Sequence, residues 1–322
     1  MDKETYDNLY RSLRYPEDID TVARETGLDR ELLLVIHTQR ASRNVTKQFY
    51  RVKAQVARLV SEWERGESFT RLSRKYDFSP ILSAMFVLGE KGIGKKEFWR
   101  VVRGEQNVSK RVQKEMEEAC KHDLIYSPEG AEIQRIRGKW GEDLLSTWLD
   151  AQGVKYEMEK DLRAKFSKTP DVLFGAPVKF NGTHISWIES KANFGDPVEF
   201  RRNVKKQLLP YTEMFGEGIV VYWFGHMKGI APPEGIYVAS KEFFESAEVK
   251  HGVLHGNLDL LVAGQGEGGL DKERGARHHK KSHVEKETEV PQVHKKPVPQ
   301  HEQRYLRSSH RSNRLGQVMG RK

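Results

Sequence analysis

The chain has 322 residues, a formal net charge of +9 at pH 7 and 31% charged side chains, with a mean hydropathy of −0.71. Its single cysteine, Cys120, excludes an intrachain disulfide and fits a reducing compartment. Met1-Asp2-Lys3-Glu4 does not start a signal peptide, and no apolar run approaches the roughly 18 residues that a membrane span needs, so a soluble intracellular protein is expected.

The basic residues are unevenly placed. Lys and Arg number 24 against 21 acids in residues 1–130, 17 against 18 in 131–263, and 14 against 7 in 264–322. Residues 1 to about 125 read as helices. The stretch 19–36 has the small residue Ala23, the glycine turn at Gly27 and the apolar spacing of a helix-turn-helix. Val45, Phe49, Val52, Val56, Leu59 and Trp63 then recur at four and three residues, predicting one long amphipathic helix. Arg40, Arg43, Lys47 and Arg51 form a second line along it. Residues 40–58 hold six Lys or Arg and no acid, so this helix is a candidate for following a phosphate backbone. A solvated basic face in a bundle is the plainer explanation.

Residues 68–88 read as a second helix-turn-helix-like unit, with Ser79 as cap and Pro80 as the first residue of its second helix. Residues 89–96 have the look of a phosphate-binding loop. They follow a helical stretch rather than a strand, and Lys96 stands where a hydroxyl would meet Mg²⁺, so no nucleotide site is expected there. Trp140, Leu144, Leu145, Trp148 and Leu149 mark a helix that Gly153 ends. Strands are expected at 154–158, on both sides of Asn181-Gly182, at 218–224 and at 235–239. Asn181-Gly182 favours the positive φ angles of a type I′ hairpin turn. Between these, 198–215 reads as a helix interrupted at Pro210. From Gly264 the composition turns to Gly, Lys, Arg, His, Glu, Gln and Pro, too poor in apolar residues to offset chain entropy, and a disordered tail is expected. Its six histidines have no framework for a metal, and Lys280-Lys281 and Lys295-Lys296 read as solvated charge or as a nuclear-import signal.

Two acidic islands carry the chemistry. Lys168-Thr169-Pro170-Asp171 ends a loop, and Glu189-Ser190-Lys191 lies in the second strand of the hairpin. Residues i and i+2 of a strand share a face, so Glu189 and Lys191 point together. Two carboxylates suit Mg²⁺, and an ammonium beside them suits a phosphodiester under attack. Taken alone, Pro170-Asp171 is ordinary turn chemistry. A lone Glu189 among Trp187 and Ile188 would be costly to bury, which favours a cation and Lys191 as its partners.

The order helix, three strands, helix, strands, with these motifs, resembles the nuclease core of the PD-(D/E)xK superfamily. The strings Gly138 to Glu142, Asp161 to Lys165, Lys168-Thr169-Pro170-Asp171, Trp187 to Asp196 and Gly218 to Gly225 are closer still to the codanin-interacting nucleases, also called TPD proteins after their Thr-Pro-Asp motif. The resemblance implies Asp171, Glu189 and Lys191 as catalytic residues, and Glu142, Asp171, Glu189 and Ser190 as the metal set for Mg²⁺ or Mn²⁺. It also implies Gln207 and Tyr211 as supporting residues, with Pro210 a departure that bends their helix. A codanin-like partner, nuclear residence with a cytoplasmic share, and a likeness to junction resolvases come from the resemblance alone.

The expectation is an α/β (α+β) chain: an all-helical domain at 1–130, a PD-(D/E)xK restriction-endonuclease-like mixed-sheet core at 131–263, and a disordered tail at 264–322. Its function is expected to be Mg²⁺-dependent hydrolysis of nucleic acid, DNA first, with no membrane contact and a homodimer left open. The alternative is a non-catalytic, nuclease-fold interaction subunit of a chromatin-assembly complex.

Overall fold

Nine α-helices precede the first strand in the computed structural model, which describes residues 1–264. They are α1 (Lys3–Ser12), α2 (Pro16–Thr26), α3 (Arg30–Lys53), α4 (Val56–Glu64), α5 (Phe69–Tyr76), α6 (Pro80–Glu90), α7 (Lys95–Val102), α8 (Lys110–His122) and α9 (Pro128–Ala151). Local signals set most of their ends. The turn between α2 and α3 is made by Gly27 at φ 69, and Ser79 caps α6 ahead of Pro80, its hydroxyl accepting from the Leu82 amide. The expected single helix through 45–63 is broken. α3 stops at Lys53, and α4 restarts at Val56 after Gln55 bonds back only three residues, to Val52. The break lets α4 pack on α6 while Val52 and Leu59 enter one core.

The second half of the described chain is a mixed sheet. Its elements are β1 (Tyr156–Met158), α10 (Glu159–Leu162), β2 (Val172–Phe180), β3 (Thr183–Lys191), α11 (Pro197–Asn203), a π-helical turn (Val204–Leu208), α12 (Leu209–Phe215), β4 (Gly218–Tyr222), β5 (Ile236–Ser240), α13 (Lys241–Ser246), β6 (Glu248–Lys250), β7 (Val253–His255) and β8 (Leu261–Ala263). The strand order is β6-β7-β2-β3-β4-β5-β8, with β1 also on β2. β2 and β3 form the expected hairpin, Asn181 at φ 45 and Gly182 at φ 85 supplying the two positive φ angles of its turn. β3, β4 and β5 run parallel. The chain is thus of the expected α/β class. Of the expected disordered tail, all but Gly264 lies outside the described residues.

Hydrophobic burial divides the helices between cores. Leu9, Leu13, Ile19, Leu33 and Ile36 from α1–α3 join Trp187, Val220 and Tyr222 on one face of the sheet. Leu145 and Leu149 of α9 cover the other face, with Ile188, Ile219, Val221 and Phe243. Val52, Leu59, Phe69, Ile81 and Phe98 make a separate core among α3–α8. α3, about 36 Å long at 1.5 Å per residue, therefore ties the helical half to the sheet. In the second helix of the 19–36 unit Arg30 and Glu31 are exposed, and Leu33 to Thr38 are buried.

One glycine fixes how β3 and β4 fit together. A Cβ on Gly218 would lie 2.1 Å from the Trp187 indole, which is fully buried and donates to the Gly216 carbonyl at 2.8 Å. Gly218→Ala is expected to cost about 2–3 kcal/mol by overpacking. For a body of this size that is a fall of roughly 5–10 °C in melting temperature, measurable by thermal unfolding. An unchanged midpoint would mean that the indole moves freely.

Candidate active site

The hairpin register brings the two acidic islands together. Val172 pairs with Ile188, so Asp171, at the mouth of β2, stands beside Glu189 near the end of β3. The Asp171 amide donates to Glu189 Oε2 at 3.3 Å, and the Ser190 amide donates to Asp171 Oδ2 at 2.8 Å. Lys191 Nζ donates to Glu189 Oε1 from the same strand face. Glu189 is 2% exposed. Burial first, and then the charge of Glu189, hold the Asp171 carboxyl well above the usual carboxylate range. Burial alone would lower the Lys191 ammonium, but the charges of Glu189 and Asp171 outweigh it and raise it.

The π-turn accommodates Pro210. Proline has no amide to return to the carbonyl four residues back, that of Lys206, and its ring crowds it. A wider turn over Val204–Leu208 makes room, closed by the Leu209 amide on the Val204 carbonyl, and Lys168 Nζ serves the Lys206 carbonyl at 2.5 Å. Gln207 and Tyr211 therefore both reach the site. Gln207 Nε2 donates to Glu189 Oε1 at 3.0 Å, and Tyr211 OH donates to the Thr169 carbonyl at 2.8 Å, fixing the loop that carries Asp171.

Glu142 and Ser190 take different places from those expected. Glu142 of α9 lines a cleft of about 420 Å³ with Asp171, Glu159 and Arg163. Burial and then the charge of Glu159 push its carboxyl up, yet it does not close with Asp171 and Glu189 into one group. The Ser190 side chain is on the opposite face of β3 from Glu189, accepting from Trp223 Nε1 at 2.8 Å, so its hydroxyl is not directed at the carboxylates. Glu159 and Arg163 in this cleft were missed by sequence reasoning. Arg163 lies within the 161–165 string and Glu159 two residues before it, which was their only signal.

The basic line on α3 does not act as one strip. Arg43 Nη2 donates to buried Asp196 Oδ2 at 2.5 Å, and Nη1 to Tyr6 OH at 3.3 Å. Arg40 lies over the Tyr10 ring, 5.7 Å from its centre. Of the four, Lys47 and Arg51 alone are exposed. A charge next to a buried acid is drawn inward, and here that acid lies far away in sequence.

Among the described residues no three His, Cys, Asp or Glu side chains group to hold a metal. The protein thus offers two close carboxylates and leaves further positions to water. That fits Mg²⁺ or Mn²⁺, hard cations that keep several waters and bind through one or two carboxylates, and does not fit a closed structural zinc site.

Fold and site together define an α/β protein with a Thr-Pro-Asp, Glu-Ser-Lys carboxylate–lysine centre. Residues 108–242 match the family described as "Protein of unknown function TPD sequence-motif". "CDAN1-interacting nuclease 1" of Danio rerio is 35% identical over 113 residues, which cover 35% of this chain and 38% of that one. The Homo sapiens protein of that name is 37% identical over 108 residues, covering 33% and 38%. The Gallus gallus protein is 44% identical over 71 residues, covering 22% and 26%. Over residues 108–242 the chain is similar to this TPD-motif family, and over about a third of its length to the codanin-interacting nucleases. The matched stretch spans a little over a third of the length of the Danio rerio and Homo sapiens relatives. No solved structure matches the chain. No described helix is long and apolar enough to cross a membrane.

Proposed function

We propose that the chain is a divalent-cation-dependent nuclease whose centre is Asp171, Glu189 and Lys191. One observation carries this: the buried Glu189 carboxylate accepts from the Asp171 amide, the Asp171 carboxyl accepts from the Ser190 amide beside it, and a single ammonium, Lys191, stands on Glu189 next to both acids. When both acids are ionised, that set retains one negative charge in a place where an uncompensated charge is costly, and a bound cation offsets it. Mg²⁺ or Mn²⁺ would supply Lewis-acid stabilisation of the phosphoryl charge.

The chain's own residues do the rest. Asp171 and Glu189 hold the cation, the Ser190 amide orients Asp171, and Gln207 orients Glu189. Lys191 faces charge developing on the phosphoryl oxygens. Tyr211 keeps the Thr169 loop in place. Glu142 and Glu159 across the cleft raise the local negative potential and favour cation entry. The names of the relatives support a CDAN1-like partner for this chain too, and the basic clusters of 264–322 support a nuclear site of action.

Calorimetric titration of the full chain with Mg²⁺ and Mn²⁺ tests the reading. Binding is expected in wild type and lost in Asp171→Ala. Protons compete with the cation for a carboxyl held above its usual range. Affinity is therefore expected to weaken as pH falls, beginning above the pH at which an exposed aspartate, pKa about 3.9, would protonate. Equal titration of wild type and Asp171→Ala would contradict the assignment.

A further inference from the structure

We propose that the cavity between α3, α9 and the end of β3 is a phosphate-binding subsite with Arg137 as its principal ligand. It deepens the nuclease reading, and rests on that reading only for naming a nucleic-acid strand as the source of the phosphate.

The cavity, about 290 Å³, is lined by Ser190 and Lys191 on one side and by Gln39, Arg43, Arg137 and Arg202 around it. It thus opens next to the proposed catalytic lysine. Three of its cations are already paired. Lys191 holds Glu189, Arg43 holds Asp196, and Arg202 holds Glu199, the single acid in the lining.

Arg137 differs. Only a tenth of its side chain is exposed, and its Nε and Nη2 have no hydrogen-bond partner. Its nearest carboxylate, Glu31 Oε2, is 3.9 Å from Nη2, too far for a hydrogen bond. The ring of Phe224, 5.9 Å from the guanidinium carbon, gives it a weak apolar neighbour instead. Burying a guanidinium with two donors unmade costs several kcal/mol, which the distant Glu31 charge and the Phe224 ring offset only in part.

A planar fork with free donors in a cavity of surplus positive charge suits a phosphate group, which accepts two parallel N–H bonds. The position is set by α9. Arg137 lies one helical turn and a residue before Glu142, so the same helix reaches the metal-side cleft with its acid and the cavity beyond Lys191 with its base. A strand whose scissile phosphate faced Lys191 would have a phosphate within reach of this cavity, either a neighbouring diester or a terminal monoester.

The test uses the full chain in EDTA, so that binding is read without cleavage. Single-stranded DNA labelled at its 3′ end, carrying a 5′-phosphate or a 5′-hydroxyl, is titrated by fluorescence anisotropy over a salt series. Arg137→Gln is expected to weaken binding roughly tenfold or more, as loss of a charge-assisted hydrogen bond does. It should also reduce the log–log salt slope by about 0.7. Arg137→Lys should restore the slope but not the affinity, because an ammonium keeps the charge and loses the fork. The melting temperature of Arg137→Gln should match or exceed that of wild type, since an unpaired buried charge is removed. Weakening confined to the 5′-phosphorylated strand assigns the subsite to a terminal phosphate, and equal weakening of both strands assigns it to an internal diester. Unchanged affinity and slope in Arg137→Gln would overturn the proposal even where Mg²⁺-dependent cleavage is intact. Conversely, Arg137-dependent binding by a chain that never cleaves would keep the subsite and refute the nuclease.

Discussion

Lys191→Ala is expected to lower cleavage by about a thousandfold or more while leaving divalent-cation binding intact, whereas Asp171→Ala should lose both. The size follows from removing a positioned charge that acts on the transition state, an effect of about 10²–10³ alone, together with the disturbed placement of Glu189. The sign of the binding effect follows from the pair. Without the ammonium, the Asp171 and Glu189 carboxyls take up a proton more readily but, once ionised, present more uncompensated negative charge, so at a pH where both ionise cation affinity should hold or rise. Calorimetry on both variants, run beside a cleavage assay, reads the two quantities separately. Breaking the pair also destabilises the metal-free protein, and saturating Mn²⁺ should recover much of that loss in melting temperature. Equal loss of metal affinity in the two variants would contradict the division of roles.

The second large effect is on stability, at Asp196. Its side chain is 1% exposed and accepts from Arg43, from Tyr6 OH at 3.0 Å, and from the Val198 and Glu199 amides at 2.8 and 3.1 Å. It caps α11 and joins that helix to α1 and α3, just ahead of the π-turn that carries Gln207. Asp196→Ala leaves a half-buried guanidinium, a phenol and two amides without their acceptor, and is expected to cost about 3–5 kcal/mol. Thermal unfolding should fall by roughly 10 °C or more. Asp196→Asn keeps an acceptor for the amides and should lie between. A loss within 1 kcal/mol for Asp196→Ala would show that the N-terminal helices are held to the sheet by apolar packing alone.

Features governed by neighbours in sequence were legible. Asn181-Gly182 specified the hairpin, Ser79-Pro80 the start of α6 and Gly153 the end of α9, because each depends on local φ, ψ and capping. The adjacency of Asp171 and Glu189 was legible too, through motif order, since an antiparallel hairpin returns one island to the other. Features set by distant partners were not. Arg43 belongs to a basic line by spacing, but Asp196 lies 153 residues on and turns it inward. The break between α3 and α4 answers to a core that periodicity cannot see. Pro210 announced an interruption, but the widened turn upstream, which keeps Gln207 on Glu189, depends on the tertiary contacts of Lys168 and Tyr211. The three-residue strands β6, β7 and β8 are too short to carry a pattern.

The central claim is that Asp171 and Glu189 hold a cation that serves phosphodiester cleavage. The most direct measurement is a cleavage screen with the purified full chain in Mg²⁺ or Mn²⁺, against single strands, duplexes, flaps and four-way junctions of DNA and RNA. The account predicts cutting of at least one of these, stopped by EDTA and absent in Asp171→Ala. No cutting of any substrate, or cutting that survives Asp171→Ala, would contradict it.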